Sequence, residues 1–105
     1  MNQSRRQKLE VMLQADPSDQ MLRYMLALEL EKEDDNEGSL ELLTGLMKDD
    51  QPYVPAFLMA GQQLARLGRI SESRQTYTEG IEQAQRQGDE HAAGEMNQFR
   101  LELPA

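Results

Sequence analysis

One histidine, no cysteine and no triad-like grouping leave this 105-residue sequence almost nothing with which to run acid–base or nucleophilic catalysis. Such mechanisms need a nucleophile, a base and a group that orients the base, all within hydrogen-bond reach. His91 stands between Glu90 and Ala92 without partners of that kind nearby and reads as a surface residue. The densest set of oxygen ligands is Glu31, Asp34, Asp35 and Glu37, but the glycine and closing glutamate of a calcium loop are missing from the spacing. Gly61, Gly68, Gly80 and Gly88 fall where helices would pack or end, not in a phosphate-binding loop. No catalytic residue, metal site or cofactor is expected, and the chain is not expected to be an enzyme.

The charge balance narrows the partners. Asp+Glu 19 against Lys+Arg 11 gives a formal net charge of -8, which repels phosphate backbones and anionic lipid surfaces. Neither nucleic acid nor membrane is therefore an expected partner. Arg5, Arg6 and Lys8 form the one basic cluster and read as a solvated helix face. Leu9 to Leu13 is too short, and too interrupted by Glu10, for the apolar stretch of a signal peptide. With Cys 0 the default setting is a reducing one, the cytoplasm. A chain of this length has room for a single domain, residues 1–105, burying about 60 to 70% of its unfolded surface.

The elements that position the remaining residues repeat. Asp16 recurs as Asp50, Met25 as Met59, Leu30 as Leu64, Ser39 as Ser73 and Thr44 as Thr78, with Ala27 answered by Gly61 and Leu43 by Tyr77. One packing unit is thus used twice, and units this short stack because neither buries its apolar face alone. Helical spacing of apolar residues predicts about six helices. The first runs from Asn2 to Ala15, and the second to Lys32 after a cap at Ser18 or Asp19. The third covers Asn36 to Lys48, and the fourth reaches Leu67 with Pro55 in its first turn. The fifth extends from Ile70 to Gln87 and the last from Asp89 to Leu103, with Gly68 as a left-handed stop. Nothing alternates with the period of a strand. The expected class is all-α, an antiparallel helix-hairpin solenoid.

The second unit reads Phe57-x2-Ala60-Gly61-x2-Leu64, then Gly68, Ser73, Tyr77 and Gly80; the first reads Arg23-x2-Leu26-Ala27-x2-Leu30, then Ser39, Leu43 and Leu46. This pattern, covering residues 16 to 84, resembles the tetratricopeptide repeat. Three features depart from it: Arg23 stands in the large aromatic slot, serine replaces alanine at Ser39 and Ser73, and Gln51 and Gln85 replace the closing proline. The resemblance implies a leading half-repeat helix (1–15), two repeats (16–49 and 50–87) and a C-terminal capping helix (88–105).

On the second helix Leu26, Ala27 and Leu30 point one way, and Met21, Tyr24, Met25 and Leu28 nearly opposite. The second stripe is either covered by neighbouring helices or left open as a groove. The resemblance implies that the first helix of each pair lines a concave face, which places Met21, Tyr24, Leu28, Pro55, Leu58, Gln62 and Arg66 in a protein-binding groove. With mainly Arg66 there, and Lys32 near its edge, the lysine, arginine and asparagine set that grips a partner's carboxylate is lacking. Acidic residues from Glu31 to Glu37 and Asp49-Asp50 read either as a rim favouring a cationic partner or as solvated loops. The expected function is a small interaction module, adaptor or chaperone-like, that binds a cationic or apolar peptide or protein surface. The alternatives are a self-associating structural module and an accessory subunit; the chain itself is expected to be a monomer or a weak homodimer.

Overall fold

Each helix is folded back onto the next by a short turn, and backbone bonding in those turns sets the boundaries. The computed structural model describes residues 4–105 and contains α1 (Arg5–Ala15), α2 (Gln20–Lys32), α3 (Asn36–Met47), α4 (Val54–Arg66), α5 (Ile70–Arg86) and α6 (Glu90–Leu101). No strand occurs among the described residues. The fold is an all-α helical-hairpin array.

The first helix starts later than expected. Ser4 is its cap: its hydroxyl accepts from the Gln7 N–H at 3.1 Å, and the Gln7 side chain accepts from the Ser4 N–H at 2.9 Å, so two otherwise unpaired amides are satisfied reciprocally. The expected start at Asn2 lies outside the described residues. Asp19, not Ser18, caps α2, accepting from the Leu22 N–H at 2.9 Å. Lys48, Leu67 and Gln87, expected as the last helical residues, are instead the caps of α3, α4 and α5, and α6 stops at Leu101, before Leu103.

Three helix ends share one device. The N–H groups of Asp35, Arg69 and Asp89 reach back to the carbonyls of Leu30, Leu64 and Ala84 at 2.9, 2.9 and 2.8 Å, the bond that closes a helix through one left-handed residue. That residue is Asp34 (φ 64°), Gly68 (φ 78°) and Gly88 (φ 76°) in turn. Glycine fills it without strain, whereas Asp34 bears a steric cost of about 1 kcal/mol. Asp35 and Asp89 then cap the following helices, accepting from the N–H groups of Gly38 at 2.9 Å and Ala92 at 3.0 Å. Ending one helix and starting the next within three residues leaves the chain no course except reversal.

Helices pack in chain order, with α6 also touching α4, and the result is elongated, 48 × 29 × 19 Å. The core has three successive clusters. Leu9, Leu26 and Leu30 join α1 to α2. Ala27, Leu43, Leu46, Ala56 and Ala60 join α2, α3 and α4. Val54, Phe57, Tyr77, Ala84, Ala93 and Met96 join α4, α5 and α6.

The serines that depart from the repeat pattern are fully buried ties between the helices of each pair. Ser39 donates to the Ala27 carbonyl and Ser73 to the Gly61 carbonyl, both at 2.7 Å. Beside the second tie, Tyr77 lies so close over Gly61 that a Cβ there would fall 2.3 Å from the ring. The first pair holds the reciprocal combination, Ala27 packed with Leu43. A methyl on one helix is exchanged for bulk on the other.

Arg23, in the aromatic slot, is held differently from its counterpart Phe57. Its guanidinium forks onto Asp49 at 2.7 and 3.2 Å, and Gln20 donates to the same carboxylate at 3.0 Å and to the Gln51 carbonyl at 2.8 Å. The Arg23 and Gln20 hydrogen bonds hold the Asp49 carboxyl below the usual aspartate range. Where the second pair has an aromatic contact, the first has a bidentate ion pair.

Two outcomes follow from this packing. Gly61→Ala is expected to lower stability by about 1 to 3 kcal/mol through overpacking; combined with Tyr77→Leu, the double variant should be less destabilised than the sum of the singles in urea unfolding, and strict additivity would refute the close-approach account. Because folding depresses the Asp49 pKa, its contribution is present above the unfolded value, about 3.9, and is lost as pH falls through the folded value. Asp49→Asn should therefore be less stable at neutral pH, and its deficit relative to wild type should shrink on acidification. A deficit constant across the acid limb would show that Asp49 contributes nothing through its charge.

Candidate functional site

Of the seven side chains expected to share one groove, three come from α2 and four from α4. Met21 is 62% exposed. Leu28 is half-buried and belongs to none of the three core clusters. Tyr24 is half-buried against the Ala27 cluster and tilts over Tyr53 with ring centroids 5.4 Å apart. Burial, with Tyr53 and Glu31 adding to it, pushes the Tyr24 phenol up. Met25, read from the sequence on the same stripe, packs instead on the Leu9 cluster under α1. Neighbouring elements thus cover part of the second apolar stripe and leave Met21 and Leu28.

On α4 the expected residues separate. Pro55 is exposed at the edge of a cleft of about 320 Å³ that Gln20, Pro52, Tyr53 and Asp89 also border. Leu58 is half-buried and packs on the cluster of Phe57, Tyr77 and Met96. Gln62 and Arg66 border a second cleft, about 350 Å³, together with Ala65, Ile70, Phe99 and Leu103. The structure brings these two together with the end of α6, and Met21, Tyr24 and Leu28 border neither cleft. The seven positions therefore do not line a single cleft of the two.

Phe99 and Leu103 belong to the segment that the sequence marks only as a C-terminal capping helix. Phe99 stacks on Tyr77 with centroids 6.2 Å apart, and Arg74 donates to the Pro104 carbonyl at 2.7 Å, fastening the last residues beside α5. This return of α6 onto α4 is not part of the 34-residue periodicity, so the repeat pattern carries no sign of it.

Charges on the surface are largely committed to one another. Arg66 donates to Glu31 at 2.5 Å, and Gln63 donates to the same carboxylate at 2.6 Å and to the Ser39 hydroxyl at 3.1 Å. Gln63 is 1% exposed, and its amide oxygen has no partner among the described residues. Ser39 spends its proton on Ala27, so it can only accept from Gln63, and the network fixes the amide's orientation. Lys32 lies 3.9 Å from Glu29. Arg66, the main cation expected in the groove, is engaged by Glu31. The acidic rim expected from the sequence is also reduced, since Glu31 holds Arg66, Glu33 holds Arg6 and Asp49 holds Arg23.

Among the described residues no three histidine or carboxylate side chains converge in a way that could hold a metal ion. No helix there is long and apolar enough to cross a membrane.

Comparison with known proteins places this architecture. No family profile matches the sequence, and no curated protein matches it either. Solved structures do. A tetratricopeptide repeat domain protein from Salinibacter ruber, determined in solution, superposes with a TM-score of 0.79 at 33% identity over 84% of this chain and 89% of that one. A crystal structure of a tetratricopeptide repeat domain protein from the same organism gives 0.74 at 32% identity over 81% and 96%. A protein from Bordetella parapertussis gives 0.80 at 25% identity over 97% and 89%. The degenerate repeat pattern, two hairpins in one register and these likenesses agree: the chain belongs to the tetratricopeptide repeat family, a non-catalytic helical-repeat fold that serves in general as a protein-interaction module.

Proposed function

We propose that this chain holds a peptide or a face of another protein on the surface carried by α2, α4 and α6, acting as an adaptor or chaperone-like module in the cytoplasm. The observation that carries the reading is that Met21, 62% exposed, and half-buried Leu28 belong to none of the three core clusters. Apolar side chains left at one edge of a finished core are what a partner's own anchors would cover. Two or three such contacts contribute about 1.5 to 3 kcal/mol each before ordering costs, which places affinity in the micromolar range.

The clefts on either side suit the flanks of the same ligand. Pro55 and Tyr53 present rigid apolar surface near the start of α4. At the far end Gln62 offers an amide, and the Glu31–Arg66 pair presents fixed charges without a net one. A segment with apolar residues at its centre and hydrogen-bonding groups at its ends fits this sequence of chemistries. Repeats 16–49 and 50–87 each supply part of it. The absence of cysteine from the sequence agrees with a reducing setting, and the protein is proposed to work as a monomer or a weak homodimer.

The test replaces the uncovered residues and spares the core. Met21→Asp with Leu28→Asp should remove a partner captured from the native host and leave the helical circular dichroism and melting temperature near wild type. A photo-crosslinking residue at position 28 should join that partner directly. Retained capture by the double variant, or crosslinks only to a second copy of the chain, would reject the proposal.

A further inference from the structure

The second helices of the two pairs leave a furrow between them. Leu40, Thr44 and Met47 of α3 face Thr76 of α5 across a cleft of about 240 Å³ whose floor includes Ala60 and Leu64 of α4. The cleft continues both ways. Toward the start of α3 it opens into about 420 Å³ between Glu37, Glu41 and Arg69. Toward the end it opens into another cleft of about 420 Å³, bordered by Lys48, Phe57, Glu79 and Glu82. Thr44 borders all three. From Glu37 to Lys48 the furrow follows α3 for about 16 Å, roughly three helical turns.

Its walls differ from its floor. The floor of Ala60 and Leu64 is aliphatic, and half-buried Leu40 and Met47 extend it along α3. The walls carry Glu37, Glu41, Glu72, Glu79 and Glu82 against Arg69 and Lys48. Arg69 is locked on Glu72 at 2.6 and 2.9 Å, and Glu82 is paired with Arg86 at 2.7 Å outside the furrow. Glu37, Glu41 and Glu79 remain with no ion pair among the described residues, Glu79 accepting only from the neutral Gln75 at 3.2 Å. On the α2–α4 surface the reverse holds, since its carboxylates are matched by Arg23 and Arg66.

We propose that this furrow is a second docking site, and that its occupant is a cationic amphipathic helix of another protein. Leucine-like side chains on one face of that helix would rest on Leu40, Thr44 and Met47. Lysine or arginine on its flanks would meet Glu37 and Glu41 on one wall and Glu79 on the other, exchanging solvated like charges for opposite ones. The negative walls exclude an acidic peptide or a nucleic acid. A purely apolar segment would leave the three carboxylates without partners.

A labelled synthetic peptide with leucine at i, i+3, i+4 and i+7 and lysine elsewhere serves as the probe, read by fluorescence anisotropy against the whole protein. Saturable one-to-one binding is expected, weakened about tenfold or more by Glu37→Lys with Glu41→Lys, and similarly by Thr44→Arg at the centre of the floor. The same charge change placed on α6, Glu90→Lys with Glu95→Lys, should leave affinity unaltered, as should Met21→Asp with Leu28→Asp. Circular dichroism checks each variant, and the exposed glutamate pair decides the matter if Thr44→Arg does not fold. Equal weakening by the α6 pair would reduce the effect to net-charge attraction. Loss of binding in the Met21 and Leu28 variant would move the peptide to the other surface. Self-association of the wild type that Thr44→Arg removes would make the furrow a contact between copies. Any of the three overturns the proposal.

Discussion

A buried hydroxyl that reaches the neighbouring backbone sets how closely the two helices of each pair approach. Ser39 and Ser73 donate to Ala27 and Gly61 at the same 2.7 Å, and the contact is possible only because the accepting residues are the smallest available. A larger side chain at either acceptor would hold the helices apart, leaving the serine buried without a partner at a cost of about 1 to 3 kcal/mol. Steric room and polar satisfaction therefore constrain each other. Once that distance is fixed, Leu43 and Tyr77 are the fillers the remaining space admits, larger where glycine stands opposite and smaller where alanine does.

The same hydroxyl carries the constraint between pairs. Ser39 belongs to the first pair, yet it accepts from Gln63 of the second, and Gln63 passes the connection to Glu31 and Arg66. At the preceding junction the equivalent positions, 34 residues earlier, are Arg5 and Glu29, which form an ion pair at 3.2 Å. A charge pair near the start of the array is thus replaced by a neutral contact further in. That order agrees with electrostatics: Arg5 is 59% exposed and keeps water around its charge, whereas a charged side chain in place of Gln63, at 1% exposure, would bear a heavy desolvation cost.

This division between periodic and individual features explains what could be read from residues alone. Helix number, class and register were legible because Leu30 and Leu64, or Ser39 and Ser73, must do one job in two places. Asp34 was not legible as a left-handed stop because its counterpart is Gly68, and an aspartate gives no sign that it will adopt positive φ. Arg23 looked like a flaw in an aromatic slot; its partner Asp49 is 26 residues away and belongs to the following turn. The candidate surface was partly legible for the same reason. Apolar spacing put Met21, Tyr24, Met25 and Leu28 on one stripe without saying which of them a neighbouring helix covers, and Met25 packs under α1.

Charge decides how the two faces of the array differ. A formal charge of -8 suggests a uniformly repulsive acid, but the carboxylates are unequally matched. Arginines of α2 and α4 pair with Asp49 and Glu31 beside the α2–α4 surface, so any attraction there would come from covering apolar area, which is tolerant of sequence and insensitive to salt. On the other face Glu37, Glu41 and Glu79 have no ion pair among the described residues and stand next to an aliphatic floor, and screening over about 8 to 10 Å at ordinary ionic strength makes any contact made there salt-dependent. One repeat unit can present both chemistries because its two helices turn different edges outward. On the first helices Arg66 reaches across to Glu31 and Arg23 to Asp49, whereas on the second helices Glu37, Glu41 and Glu79 have no ion pair among the described residues.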